Sequence, residues 1–232
     1  MPGIKYLRIR FDQNIFPYDI PKFRAAVIEK TEREAALFHN HIGDKQIDYR
    51  YPLIQYKVTN KKASIICLEE GTDQIHQLFL KNDLNLRVGN NHAEYRVEDI
   101  SLNKHLVQLW NTTFEYSLLN WLPLNQQNHK KYLSLDDNLP EQVKILERSL
   151  LGHILAFASG IGWQVEGRIT ADITDIKEMK MLEYKRQKML AITLTFKSNV
   201  SFPDYIGLGK GGSVGFGIVK RISKENVNKS LS

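Results

Sequence analysis

Strict alternation opens the chain. Across residues 4–11, Leu7, Ile9 and Phe11 fall on one side of an extended segment and Tyr6, Arg8 and Arg10 on the other. One face is therefore core, and the opposite face is aromatic and basic. Asp19, Ile20 and Pro21 then form a helix start, a capping residue followed by proline in the first turn. Phe23, Val27, Thr31, Ala35 and Phe38 recur at helical spacing and predict a helix to about residue 38. His39-Asn40-His41-Ile42-Gly43 ends it in a polar loop. Residues 51–58 read as a strand and 62–68 as its antiparallel partner across Thr59-Asn60-Lys61. Gly71-Thr72-Asp73 begins a second helix, with Ile75, Leu78 and Phe79 on one face. Residues 84–88 and 93–100 look extended around the turn Gly89-Asn90-Asn91.

The order strand, helix, strand, strand, helix, strand is the ferredoxin-like arrangement, which RNA-recognition modules share. A boundary is expected near residues 101–104. Beyond it, residues 106–110 and 113–122 are rich in aromatic and β-prone residues, and residues 125–131 read as a polar linker. Asn138 and Pro140 open the strongest helix, along which Val143, Leu146, Leu150, Ile154, Phe157 and Ile161 recur at intervals of three and four. Gly160 and Gly162 stop it. Residues 163–176 read as one extended segment, 179–184 as another, and Leu190, Ile192, Leu194 and Phe196 alternate cleanly. The second half thus repeats strand, helix, strands. The expected fold class is α+β: two tandem ferredoxin-like (RRM-like) βαββαβ domains, 1–101 and 102–232, the second with its last helix reduced or replaced by a glycine-rich region.

Composition changes this picture little. The 232 residues suit one large domain or two of about 100 residues each. No apolar run approaches the roughly 18 residues of a membrane span, and the N-terminus lacks a signal-peptide core. The single cysteine, Cys67, lies in an apolar run and permits no disulfide framework within one chain. A soluble, cytoplasmic protein is expected. Charge is more informative. The net charge is +6, and from Lys180 onward ten Lys/Arg face three acidic residues. The end of the chain carries the basic excess, which favours a polyanionic partner.

Within that end lies Gly207-Leu208-Gly209-Lys210-Gly211-Gly212-Ser213-Val214-Gly215-Phe216-Gly217. Such a loop takes positive φ at little cost and presents amides to an anion, with Lys210 adding charge and Ser213 a hydroxyl. It leads into a strand. An ATPase phosphate loop or a dinucleotide fingerprint would lead into a helix. Gly207-Leu208-Gly209, five residues, then Gly215-Phe216-Gly217-Ile218 is similar to the C-terminal glycine-rich motif of the CRISPR-repeat RNA-processing endoribonucleases. Leu37-Phe38-His39-Asn40-His41, Tyr51-Pro52-Leu53-Ile54-Gln55-Tyr56-Lys57 and Trp121-Leu122-Pro123-Leu124-Asn125 also resemble members of that family. The resemblance covers essentially the whole chain.

The resemblance implies metal-independent cleavage of precursor CRISPR RNA within its repeat. A 2′-hydroxyl attacks the adjacent phosphate, and a cyclic phosphate and a 5′-hydroxyl result. Such a reaction needs a base, an acid and positive charge at the developing phosphorane. His39 and His41 occupy the place where family members commonly carry a catalytic histidine, and one is expected to be essential. Lys45 and Lys57 are candidates to stabilise the transition state. RNA contacts are expected from the backbone at Gly207, Gly209, Gly211, Gly212, Gly215 and Gly217, and from Lys210, Ser213, Lys220 and Arg221. Arg8 and Arg10 add a basic sheet face. No cofactor and no metal are expected; a metal-dependent nuclease chelating through His39 and His41 is a lesser reading, since no third ligand sits at convincing spacing. The expected partners are CRISPR repeat RNA and other effector subunits, with no membrane, the chain itself being a monomer or homodimer. The alternative is a non-catalytic RNA-binding subunit of an effector complex.

Overall fold

A computed structural model describes residues 3–31, 51–81, 83–135 and 138–223. Its first domain contains β1 (Ile4–Asn14), α1 (Ile20–Lys30), β2 (Ile54–Thr59), β3 (Lys62–Leu68), two short helices α2 (Glu70–Gln74) and α3 (His76–Phe79), the hairpin β4 (Asn85–Val88) and β5 (Asn91–Glu94), and β6 (Val97–His105). The sheet order is β2-β3-β1-β6, with every pair antiparallel. This is the ferredoxin-like order. The β2–β3 hairpin closes through Asn60 and Lys61, at φ 50° and 64°, a two-residue turn whose hand matches the twist of the strands it joins.

Leu7, Ile9 and Phe11 of β1 pack with Phe23 and Val27 of α1 in the first core, as the alternation predicts. The opposite face is not open. Tyr6, Ile66 and Leu68 belong to the second core, among residues of the C-terminal domain. A sheet covered on both sides explains why all but one residue in each of β2 and β3 is buried. It also corrects the reading of β1's second face as an open nucleic-acid platform, because the Tyr6 hydroxyl donates to the Asp204 carbonyl at 2.8 Å. The extended reading over 93–100 divides at Tyr95, whose ring turns inward and packs edge-on against Phe11. Residues 101–104 continue β6, with Ser101 opposite Arg8 and Lys104 opposite Lys5.

The second domain contains β7 (Leu109–Trp121), α4 (Gln126–Leu133), α5 (Leu139–Gly160), β8 (Ala171–Tyr184), β9 (Gln187–Val200) and β10 (Ile218–Arg221). Its sheet order, β10-β7-β9-β8, is again ferredoxin-like. The place of a second helix, between β9 and β10, is taken by a loop containing one 3-10 turn, Gly212–Val214. α5 begins at the Asn138 cap and buries Leu146, Leu150, Ile154 and Phe157. Each such side chain contributes about 1.5–3 kcal/mol by leaving water. Residues 125–131 are not a linker. The Asn125 side chain caps α4 by accepting from the Asn128 amide at 2.8 Å, and Tyr132 anchors the helix. Among the described residues, no helix is long and apolar enough to cross a membrane.

Candidate nucleic-acid interface

The loop of residues 207–217 is a folded object. Gly207 bridges to Ile218, and the Leu208 amide donates to the Gly217 carbonyl at 2.8 Å. Val214 and Phe216 both donate back to the Gly211 carbonyl, at 2.9 and 3.2 Å, and the Gly217 amide donates to Asn120 of β7 at 3.2 Å. Glycine is required where these segments cross. At Gly217, φ is +59° and a Cβ would lie 2.0 Å from the Leu208 carbonyl oxygen. Gly217→Ala is therefore expected to cost about 2–4 kcal/mol in denaturant unfolding, combining left-handed strain with a backbone clash. Weakened RNA binding should accompany it in a filter or anisotropy assay.

Among the described residues, the amides of Gly209, Lys210 and Gly211 have no acceptor. Lys210 is exposed beside them. Gly209 is partly exposed and Gly211 buried; unpaired amides beside an ammonium are groups that suit an anion. Lys220 and Arg221 are exposed on β10, with the Arg221 guanidinium 4.4 Å from the centre of the Phe114 ring.

The loop is mounted on the first domain through β2. Gln55 and Lys57 are two residues apart, so they share a strand face. Neither has any solvent exposure. The Gln55 Oε1 accepts from the Gly207 amide at 2.8 Å, while its Nε2 donates to the Tyr51 hydroxyl and the Pro52 carbonyl, each at 2.9 Å. Lys57 Nζ donates to the Gly212 carbonyl. Burial pulls the Lys57 pKa down to about 7. Lys57 thus does not line an open cleft, as a residue meeting a substrate phosphate must. It reaches the interface through the underside of the loop.

His153 of α5 lies against the loop from another side. The buried Trp121 donates its indole N–H to His153 Nδ1 at 3.0 Å, with the rings perpendicular. A Cβ on Gly209 would stand 2.6 Å from that nitrogen. Burial, reinforced by Lys210, lowers the His153 pKa to about 4. Sequence alone gives Gln55 no role and places His153 beside the apolar stripe of the long helix as half-buried packing. Gln55 had one usable signal, its two-residue spacing from Lys57 within an apolar strand.

Arg8 and Arg10 lie elsewhere, each against a carboxylate of β6: Arg8 with Asp99 at 3.0 Å and Arg10 with Glu98 at 2.8 Å. Either would have to leave its pair to meet a phosphate. His39, His41 and Lys45 fall outside the described residues, and the chain re-enters the structure at Tyr51, just before β2.

Comparison with known proteins places the whole architecture. The family model described as the Cas6b N-terminal domain matches residues 2–106, and that of the Cas6b C-terminal domain matches residues 108–222. A crystal structure of Cas6b superposes with a TM-score of 0.85 at 24% identity, over 95% of this chain and 100% of that one. A structure described as the CRISPR RNA processing endoribonuclease Cas6b follows at 0.71 and 21%, with the same coverage of both chains. Among curated proteins, an uncharacterised protein of Methanocaldococcus jannaschii is 27% identical over 151 residues, 65% of this chain and 95% of that protein.

Proposed function

The chain belongs to the Cas6b family of CRISPR RNA-processing endoribonucleases, and from that premise we propose that it binds CRISPR precursor RNA and cuts it within the repeat without a metal ion. The observation that carries the reading is the glycine-rich loop seated on β2. The strand that holds the loop through Gln55 and Lys57 is also the one that the candidate catalytic segment, residues 39–45, leads into. One short piece of chain therefore relates the group that grips the RNA backbone to the groups that would cut it.

In this mechanism a phosphate of the bound strand, away from the one that is cut, lies over the amides of Gly209, Lys210 and Gly211, with the Lys210 ammonium alongside. A 2′-hydroxyl attacks the adjacent phosphorus in line. One of His39 and His41 takes its proton, and the departing 5′-oxygen must receive one. Histidine suits either transfer because it titrates near working pH. Lys45 supplies charge to the phosphorane. Bond making and breaking balance within the RNA, giving a 2′,3′-cyclic phosphate and a 5′-hydroxyl without water as a reactant.

The test is cleavage of a repeat-containing RNA in excess chelator, beside the same RNA with deoxyribose at the cut site. Cutting in chelator that the deoxy substitution abolishes is the expected result. Cutting that requires divalent metal overturns the mechanism. Binding without cutting under all conditions would instead assign the chain as a non-catalytic RNA-binding subunit.

A further inference from the structure

We infer that His153 is an RNA-contacting residue, a neutral imidazole whose Nε2–H donates to the phosphate held by the glycine-rich loop. The inference rests on the reading of the chain as a repeat-RNA binder and adds a donor to that site from outside the loop.

The tautomer follows from one hydrogen bond. Trp121 Nε1 can only donate, and it points at His153 Nδ1 from 3.0 Å. Nδ1 must therefore offer a lone pair, and in a neutral ring the proton then sits on Nε2. Trp121 is fully buried in β7, so the indole is fixed by packing and holds the imidazole in turn. A second proton on Nδ1 would abolish this bond and leave the indole N–H unpaired. The low pKa of His153, about 4, agrees with a ring that stays neutral through the working range.

The remaining ring nitrogen is what needs explanation. Among the described residues, Nε2 has no hydrogen-bond partner. His153 is half-buried, and that nitrogen is not among the side-chain atoms sealed from solvent. Its neighbours are the loop itself. Gly209 approaches so closely that no side chain fits between its backbone and the ring edge, and the charge facing the ring is Lys210. Gly209 and Lys210 also supply two of the unpaired amides. A half-buried donor of fixed orientation thus lies on a ring packed against Gly209, next to the exposed Lys210, whose amide and that of Gly209 have no acceptor among the described residues, and each of these groups suits an anion.

Packing alone explains less. A histidine that only filled space against Trp121 would not need the indole bond, and a leucine would avoid burying a polar ring. The indole bond orients the ring as a carboxylate or carbonyl does for histidines that must present one defined nitrogen.

The experiment measures binding of an RNA carrying one CRISPR repeat from the source genome, under non-cleaving conditions with deoxyribose at the cut site. His153→Phe keeps a ring and removes both nitrogens. It is expected to weaken binding about 10- to 150-fold, as for loss of one hydrogen bond to a charged partner. His153→Gln, whose amide can return a donor near Nε2, should recover most of that. A scan with methylphosphonate at single phosphates makes the test specific. Neutralising the contacted phosphate should cost the wild type more than it costs His153→Phe, while the other phosphates cost both proteins the same. The wild-type advantage over His153→Phe should also hold constant from pH 5.5 to 8.

If the wild type does not bind repeat RNA, the family-level reading fails. If the wild type binds and His153→Phe binds equally well, the inference fails alone. It fails too if His153→Phe is weaker but every phosphate substitution adds independently, since the effect would then come through loop packing. An advantage that grows as the pH falls toward 5.5 would show an imidazolium, and would overturn the neutral donor.

Discussion

Alanine at the essential histidine of the pair His39 and His41 is expected to lower the single-turnover cleavage rate by about 10²–10⁴-fold, the usual contribution of a positioned proton-transfer group. Alanine at the other should cost much less. The loss should fall on the rate and spare affinity. In the proposed arrangement the RNA backbone is held by the amides of Gly209, Lys210 and Gly211 and by exposed basic groups, none of which either histidine supplies. Cleavage measured with protein in saturating excess, beside binding to a non-cleavable RNA, separates the two quantities. Lys45→Ala should also lower the rate, by removing charge from the transition state. Wild-type rates in both His39→Ala and His41→Ala would end the assignment. A matching loss of affinity would instead place the histidine among the groups that hold the strand. The pH–rate profile offers a further check, because a histidine acting as base gives a rate that rises with pH through its own titration.

The long helix and the hairpins were legible because a single physical constraint wrote each of them. α5 buries one stripe against one sheet, so Leu146, Leu150, Ile154 and Phe157 stand at helical spacing and remain buried. β9 has a strongly buried face, and Ile192, Leu194 and Phe196 alternate accordingly. β8 was read in pieces because it contains two register shifts against β9, one between Ile173 and Asp175 and one between Ile176 and Glu178. Those bulges move Ile173, Ile176 and Met179 to intervals of three, which period-2 reading cannot follow. α4 was missed because its residues are polar and its evidence is a cap. The glycine motif declared the loop, since only glycine tolerates crossings such as that at Gly217. What sits beneath the loop was hidden. Gln55, Lys57 and His153 reach it from two other elements, and contacts between elements leave no local period.

Replacing Lys57 with Met is expected to remove a pH dependence of stability that the wild type carries between about pH 7 and 10. In the folded chain Lys57 has no exposure and its pKa falls to about 7 through loss of solvation. In the unfolded chain it returns to its ordinary value near 10.5. Below pH 7 both states are charged, and the folded state bears the full cost of burying the ammonium. Between the two values the unfolded chain holds a proton that the folded chain has released, so wild-type stability rises with pH across this window. The completed gain is on the order of 5 kcal/mol, from a difference of roughly three and a half pKa units at 1.36 kcal/mol each. Denaturant unfolding at pH 6.5, 8 and 9.5 would capture about 3 kcal/mol of it, as the difference between wild type and Lys57→Met, in which groups common to both proteins cancel. Staying below pH 10 also avoids the tyrosines, Tyr51 and Tyr56 among them, whose burial raises their pKa values and makes high pH destabilising. The variant should be at least as stable as wild type at pH 6.5, since an apolar side chain of similar length replaces a buried charge. Its RNA binding should nonetheless be weaker, because the Gly212 carbonyl loses the donor that holds the loop to β2. Parallel stability curves for the two proteins would show that Lys57 is solvated and free to act from within the cleft. Diverging curves with weakened binding would fix it as the support beneath the loop.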